Sequence, residues 1–181
     1  MASKPHHDAE ADAISRKENP ERYTFKPRAF NIVWGNDSRY WRIPPRSALS
    51  SASSSTTSNV EEFAELVQVS WLEVTGSVPL EASTNYQITF KLSFKGDASG
   101  WSGSPVFLMA KVGKKGKYKW KRLKELENLP RQPTEVPNEP FVVEVLGNPP
   151  DKRLYFGLYE VWTGKWKKGL RVHEAIVKKK T

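Results

Sequence analysis

Tyr86, Ile88, Phe90, Leu92 and Phe94 alternate with Gln87, Thr89, Lys91 and Ser93, the period of two that turns one face of a strand to a core and the other to water. Noisier alternation of the same kind runs over 30–34, 66–74, 106–112, 117–123, 141–146, 154–162 and 170–177, which predicts about eight strands separated by turn residues. No segment carries the period of a long helix. The best helical stretch, Val60 to Leu66, follows Asn59 as a candidate N-cap and spans about two turns at most. Short strands with Pro- and Gly-containing connections predict an all-β fold, an antiparallel β-sandwich of jelly-roll type. Residues 1–22 mix both charge signs without a period and read as a flexible tail, so His6 and His7 are expected in solvent. The domain is expected over 23–178, with a flexible serine- and threonine-rich loop at 47–59 and a basic end at 179–181.

Composition narrows the chemistry. The 181 residues include no cysteine, which removes disulfide scaffolds, thiolate metal sites and thiol nucleophiles together. No cofactor or metal is expected. GxSxG, HExxH, P-loop and GxGxxG patterns are absent. His173, the one histidine of the expected domain, lies in a strand pattern without a triad partner, so the chain reads as a non-enzyme. Neither a secretory leader nor the ~18 consecutive apolar residues of a membrane span is found, which predicts a cytoplasmic, also nuclear, protein that is neither secreted nor inserted in a membrane. Net charge is +9, and residues 113–181 carry all of it. Such a field suits RNA, anionic surfaces or acidic glycans equally.

Seven tryptophans are the unusual feature. Trp71 and Trp162 continue strand alternations and are expected in the core, and Trp120 is expected to turn inward with Tyr118 while its lysine neighbours face water. Trp34 and Trp41 instead flank the turn Gly35-Asn36-Asp37-Ser38-Arg39-Tyr40, and Trp166 sits in the loop Thr163-Gly164-Lys165-Trp166-Lys167-Lys168-Gly169. Loop aromatics beside short polar and basic groups offer a ring for the C–H face of a sugar and fixed groups for its hydroxyls. The same parts stack nucleobases over a cationic groove, and a purely structural role for the rings is the third reading.

Phe30-Asn31-Ile32-Val33-Trp34 with Tyr40-Trp41, Val69 to Gly76, Tyr86 to Phe94, Gly100-Trp101, and Leu158-Tyr159-Glu160 with Gly164 to Leu170 resemble, in order, blocks of the phloem protein 2 family of plant lectins. The resemblance implies a jelly-roll sandwich of the plant cytoplasm and nucleus. It implies a lectin for N-acetylglucosamine oligomers, such as chitin fragments and N-glycan cores, with glycoproteins as partners and often a homodimer. Trp34 and Trp41 match the tryptophans bracketing the family's sugar-binding turn, and Trp166-Lys167-Lys168-Gly169 match the loop that closes over it. Asn36 stands where family members often carry Asp, with Asp37 following. The expected carbohydrate-binding residues are therefore Trp34, Asn36, Asp37, Tyr40, Trp41, Trp166, Lys167, Lys168 and Gly169. Glu160 is added as an acceptor on the core-facing parity of its strand. The alternatives are a basic RNA-binding or trafficking protein and a protein-interaction module on the same fold.

Overall fold

The alternating run at 86–94 forms the middle of a 15-residue strand, Asn85–Ser99, in the computed structural model, which describes residues 4–18, 21–44 and 62–180. The strands are β1 (Ile14–Lys17), β2 (Arg22–Phe25), β3 (Asn31–Ile32), β4 (Trp41–Arg42), β5 (Ala64–Leu66), β6 (Leu72–Pro79), β7 (Asn85–Ser99), β8 (Phe107–Val112), β9 (Lys119–Arg122), β10 (Thr134–Glu144), β11 (Arg153–Glu160) and β12 (Lys168–Lys180). They build two antiparallel sheets, the expected all-β sandwich. One has the order β3-β6-β11-β8-β9; in the other β12 is central, with β7 and then β10 along one edge and β2 and β5 along the other. The described residues include three short 3-10 turns and no α-helix, and none has a helix long and apolar enough to cross a membrane.

The sheets close on a cluster of phenylalanines. Phe25 stacks on Phe30 at 5.7 Å and stands edge-on to Phe156 at 5.0 Å, while Phe90 meets Phe30 at 5.7 Å and Phe156 at 5.8 Å. All four are fully buried. Alternation supplies this core directly: Phe90 is the middle of the even-numbered face of β7, and Leu154, Phe156 and Leu158 form the inward face of β11. Two irregularities in the β7–β12 ladder, at Lys168/Leu170 and Val172/Glu174, let neighbouring residues of β12 turn inward together. His173 is buried beside Val172 for this reason, and its Nε2 lies 2.7 Å from Ser93 Oγ.

Four expectations need correcting. The tail expected over 1–22 is part of the fold across its described residues: His7 exchanges backbone hydrogen bonds with Ile32 (3.0 and 2.9 Å), and β1 pairs with β2. His7 is buried, donating from Nδ1 to the Phe30 carbonyl at 2.8 Å. Second, the helical stretch at 60–66 contains β5 instead, paired with β12 and β4. Glu65 faces Arg171 (3.4 Å), Arg42 (3.6 Å) and Lys95 (3.8 Å) across the sheet, a cross-strand arrangement that outweighs the weak helix signal. Val60, Glu61 and the loop at 47–59 lie outside the described residues.

Third, Trp71 and Trp162 are exposed rather than core residues. Leu72 and Val74 set the inward phase of β6, which turns Trp71 outward beside Glu73, and β11 stops at Glu160 so that Trp162 falls in a turn where strand parity no longer applies. Fourth, Trp120 and Tyr118 face water. β9 is an edge strand, and among the described residues no second layer covers its outer face; Lys119 donates to the Val142 carbonyl and Lys121 pairs with Glu139, while Trp120 lies against Phe107 at 5.4 Å.

Candidate functional site

The turn between β3 and β4 holds itself together locally. Gly35 donates to the Ile32 carbonyl, Asp37 to Trp34, and both Tyr40 and Trp41 to Asp37. Asp37 Oδ1 accepts from the Arg39 amide at 3.0 Å and its carboxylate is forked by the Arg39 guanidinium at 2.7–3.2 Å. The Arg39 side chain and backbone donors hold Asp37 below the usual aspartate range. A depressed carboxylate adds to the turn's stability above the ordinary value of about 3.9 and loses that contribution as pH falls through its own lower value. Asp37 is thus expected to titrate below the ordinary aspartate range in a carboxyl NMR titration, and Arg39→Ala to return it toward the ordinary value.

Trp34 opens this turn in the left-handed region, at φ 67°. For a large side chain that backbone is costly, about 1–3 kcal/mol, and it persists only where the surroundings enforce it. The strain aims the indole outward, 38% exposed, into a row of rings. Trp34 meets Tyr40 at 5.5 Å, and Tyr40 meets Trp166 at 6.5 Å with planes 25° apart. Arg39 lies 5.2 Å above the Tyr40 ring.

Trp166 is 58% exposed on a loop that is otherwise fixed. Beneath it Glu160 and Lys167 form an ion pair with no solvent exposure. Lys167 Nζ donates to Glu160 and to the carbonyls of Lys165 (2.7 Å) and Ser70 (3.1 Å), using all three ammonium protons. Glu160 also accepts from the Thr163 amide (3.1 Å) and hydroxyl (3.0 Å). Val69 and Lys167 exchange backbone hydrogen bonds at 2.8 and 3.0 Å, and Trp101 Nε1 donates to the Lys168 carbonyl at 2.9 Å. Gly100, at φ 88°, passes so close that a Cβ there would lie 1.9 Å from the Trp166 carbonyl oxygen. Rigid polar bonding below an exposed indole is what a preorganised contact surface requires.

Of the expected site residues, Trp34, Tyr40 and Trp166 come together as one row, the two indoles exposed and Tyr40 half-buried between them, with Asn36 and Asp37 in the turn. Trp41 is buried beneath the turn, so it supports the wall rather than presenting a ring. Glu160 and Lys167 are likewise below the surface, as the parity of Glu160 indicated. Lys168 is exposed, 3.9 Å from Asp97, and Gly169 is at φ 92° where a Cβ would strike Ala98. Asn36 is committed elsewhere: its Nδ2 donates to the carbonyls of Lys4 (2.9 Å) and His6 (2.8 Å). His6, Ser70, Trp101 and Thr163 were not singled out as site residues by sequence, since each acts through a partner remote in the chain or through a loop bond that no pattern encodes. Among the described residues no group of three or more acidic or histidine side chains is placed to hold a metal ion.

Other concavities lie away from the ring row. One, about 500 Å³, is lined by residues 99–106 with Arg122, Leu123, Leu126, Glu127 and Leu129. An apolar groove of about 310 Å³ lies between Phe107, Met109, Trp120 and Trp162.

Residues 21–178 match the family model described as phloem protein 2. The chain is 44% identical over 184 aligned residues to Protein PHLOEM PROTEIN 2-LIKE A9 of Arabidopsis thaliana, covering 95% of this chain and 94% of that one. A lectin of Luffa acutangula is 33% identical over 73 residues, 39% of this chain and 31% of its own. Among solved structures, a Podospora anserina GH26-CBM35 β-(1,4)-mannanase superposes with a TM-score of 0.51 over 90% of this chain and 28% of that one; at 5% identity the likeness concerns the fold.

Proposed function

The chain belongs to the phloem protein 2 family, and on that premise we propose that it is a carbohydrate-binding protein that acts without turnover, taking N-acetylglucosamine oligomers such as chitin fragments and N-glycan cores. The observation that carries the reading is the row Trp34, Tyr40 and Trp166, in which two exposed indoles flank a half-buried tyrosine and the loop under Trp166 is fixed from below. A pyranose stacks its C–H face on Trp34 or Trp166, and polar groups beside the row exchange hydrogen bonds with its hydroxyls. The site is open, which suits a Kd of about 1 mM to 1 μM for a single site. Pairing of two chains raises avidity on a multivalent glycan through effective concentration, without new contacts.

The test is a calorimetric titration with N-acetylglucosamine trimer at low and high salt. A saturable isotherm whose Kd shifts less than about twofold across the salt range is expected, because a neutral ligand displaces few counterions. No heat and no fluorescence change at millimolar ligand, with the fold intact, removes the reading. One observation favours a second reading, a polyanion such as RNA: residues 113–124 carry seven basic and no acidic side chains around the exposed Tyr118 and Trp120. Affinity that falls linearly with log salt marks that case.

A further inference from the structure

Residues 4–8 lie outside the stretch that matches the family model, yet they are fastened to the ring row. His6 Nδ1 accepts a hydrogen bond from the Trp34 amide at 2.9 Å, and the imidazole stands edge-on to the Trp34 indole, 5.1 Å between centroids. The Asn36 amide donates to the Pro5 carbonyl at 3.1 Å, while the Asn36 side chain grips the carbonyls on either side of Pro5. Gly35 leaves room for this strand of chain: a Cβ there would lie 2.7 Å from His7 Cβ. The segment therefore meets the turn at three consecutive residues, 34 to 36. One of these contacts holds the amide of the residue with the strained backbone.

The geometry points to His6 as a further ligand-binding residue of the carbohydrate site, with the segment 4–8 as the brace that sets Trp34. This rests on the carbohydrate reading above. Accepting at Nδ1 places the proton of the neutral imidazole on Nε2. Among the described residues Nε2–H meets no acceptor, and the half-buried ring continues the row as a fourth member beyond Trp34. The donor it offers suits an oxygen of the acetamido group or a hydroxyl of a sugar stacked on Trp34. Asn36, which the family resemblance assigns to the ligand, instead holds the brace; its donor is exchanged for that of His6.

The two roles of His6 separate by substitution in the full-length protein. His6→Asn keeps a side-chain acceptor near the Nδ1 position and removes the ring and Nε2–H. His6→Phe keeps a ring and removes both nitrogens. Amide exchange at Trp34, read by NMR without ligand, is expected to quicken at least about tenfold in His6→Ala and His6→Phe and to stay near wild type in His6→Asn. Affinity for N-acetylglucosamine trimer is expected to fall about tenfold in all three, the size of one good hydrogen bond. Unchanged Trp34 exchange in His6→Ala overturns the brace, and unchanged affinity in His6→Asn overturns the direct contact. Failure of the wild type to bind the trimer is a different result: it removes the carbohydrate reading and the contact with it, and leaves the brace to be decided by exchange alone.

Discussion

Lys167→Met is expected to lower the unfolding free energy by about 3–5 kcal/mol in urea denaturation, whereas Lys168→Met, one residue on, is expected to change it by less than about 0.5 kcal/mol. The two lysines are neighbours in sequence and opposites in environment. Lys167 has no exposed side-chain surface and spends its three protons on Glu160 and two carbonyls; Lys168 is half in water, 3.9 Å from Asp97. Removing the Lys167 ammonium strands the Glu160 carboxylate in the interior with Thr163 as its one remaining donor among the described residues and leaves the Ser70 and Lys165 carbonyls without that donor. The cost is the unpaired buried charge, not the strength of the ion pair itself. Exposed pairs such as Lys168 with Asp97 are worth about 0–1 kcal/mol at most. A loss below about 1 kcal/mol for Lys167→Met would mean that water reaches Glu160 when the loop 161–167 opens. The rigid base under Trp166 would then be absent.

The contrast also marks the limit of what was legible beforehand. Strand periodicity located β7, β8, β11 and β12 because each has one face in the core, and for such strands the hydrophobic phase is the structure. The same rule misplaced Trp120, since an edge strand with an open outer face does not constrain which phase is apolar, and it misplaced Trp162 because parity ends where β11 ends. Glu160 was rightly read as inward-facing, but its partner was not: Lys167 looked like another member of a basic loop, and nothing local distinguishes a lysine that reaches back to a strand end from one that reaches into solvent. Short strands such as β1 and β4 were invisible for a related reason. Four-residue and two-residue segments form only because β2 and β5 already present a paired edge, so the signal lies in the partner. The N-terminal segment read as a tail on its composition, and its contacts to 32–36 connect residues about 30 apart that no periodicity joins. The turn around Trp34 and the loop around Trp166 stand out in the sequence as aromatics outside any strand alternation, and the family resemblance joins them. Nothing in the sequence separates Trp34 and Trp166, which are exposed, from Trp41, which is buried.

Trp34→Gly separates a ring kept for binding from a ring kept for folding. Removing the indole forfeits a partly buried side chain packed on His6 and Tyr40, a loss of about 1.5–3 kcal/mol at full burial and less here. Glycine adopts φ 67° without strain, which returns about 1–3 kcal/mol of backbone energy. The two contributions nearly cancel, so the expected change in unfolding free energy is within about 1 kcal/mol. Trp34→Ala keeps the strain and loses the ring, and is expected to be less stable than Trp34→Gly by about 1 kcal/mol. Affinity for N-acetylglucosamine trimer has no such compensation. Both variants are expected to bind at least about thirtyfold more weakly, as the loss of an aromatic anchor from a contact surface does. A glycine variant as stable as wild type and unable to bind would mean that the left-handed turn is held at a cost in order to present the indole. A glycine variant that binds normally would move the ligand to Trp166 and Tyr40, and the strained backbone at Trp34 would then need another cause.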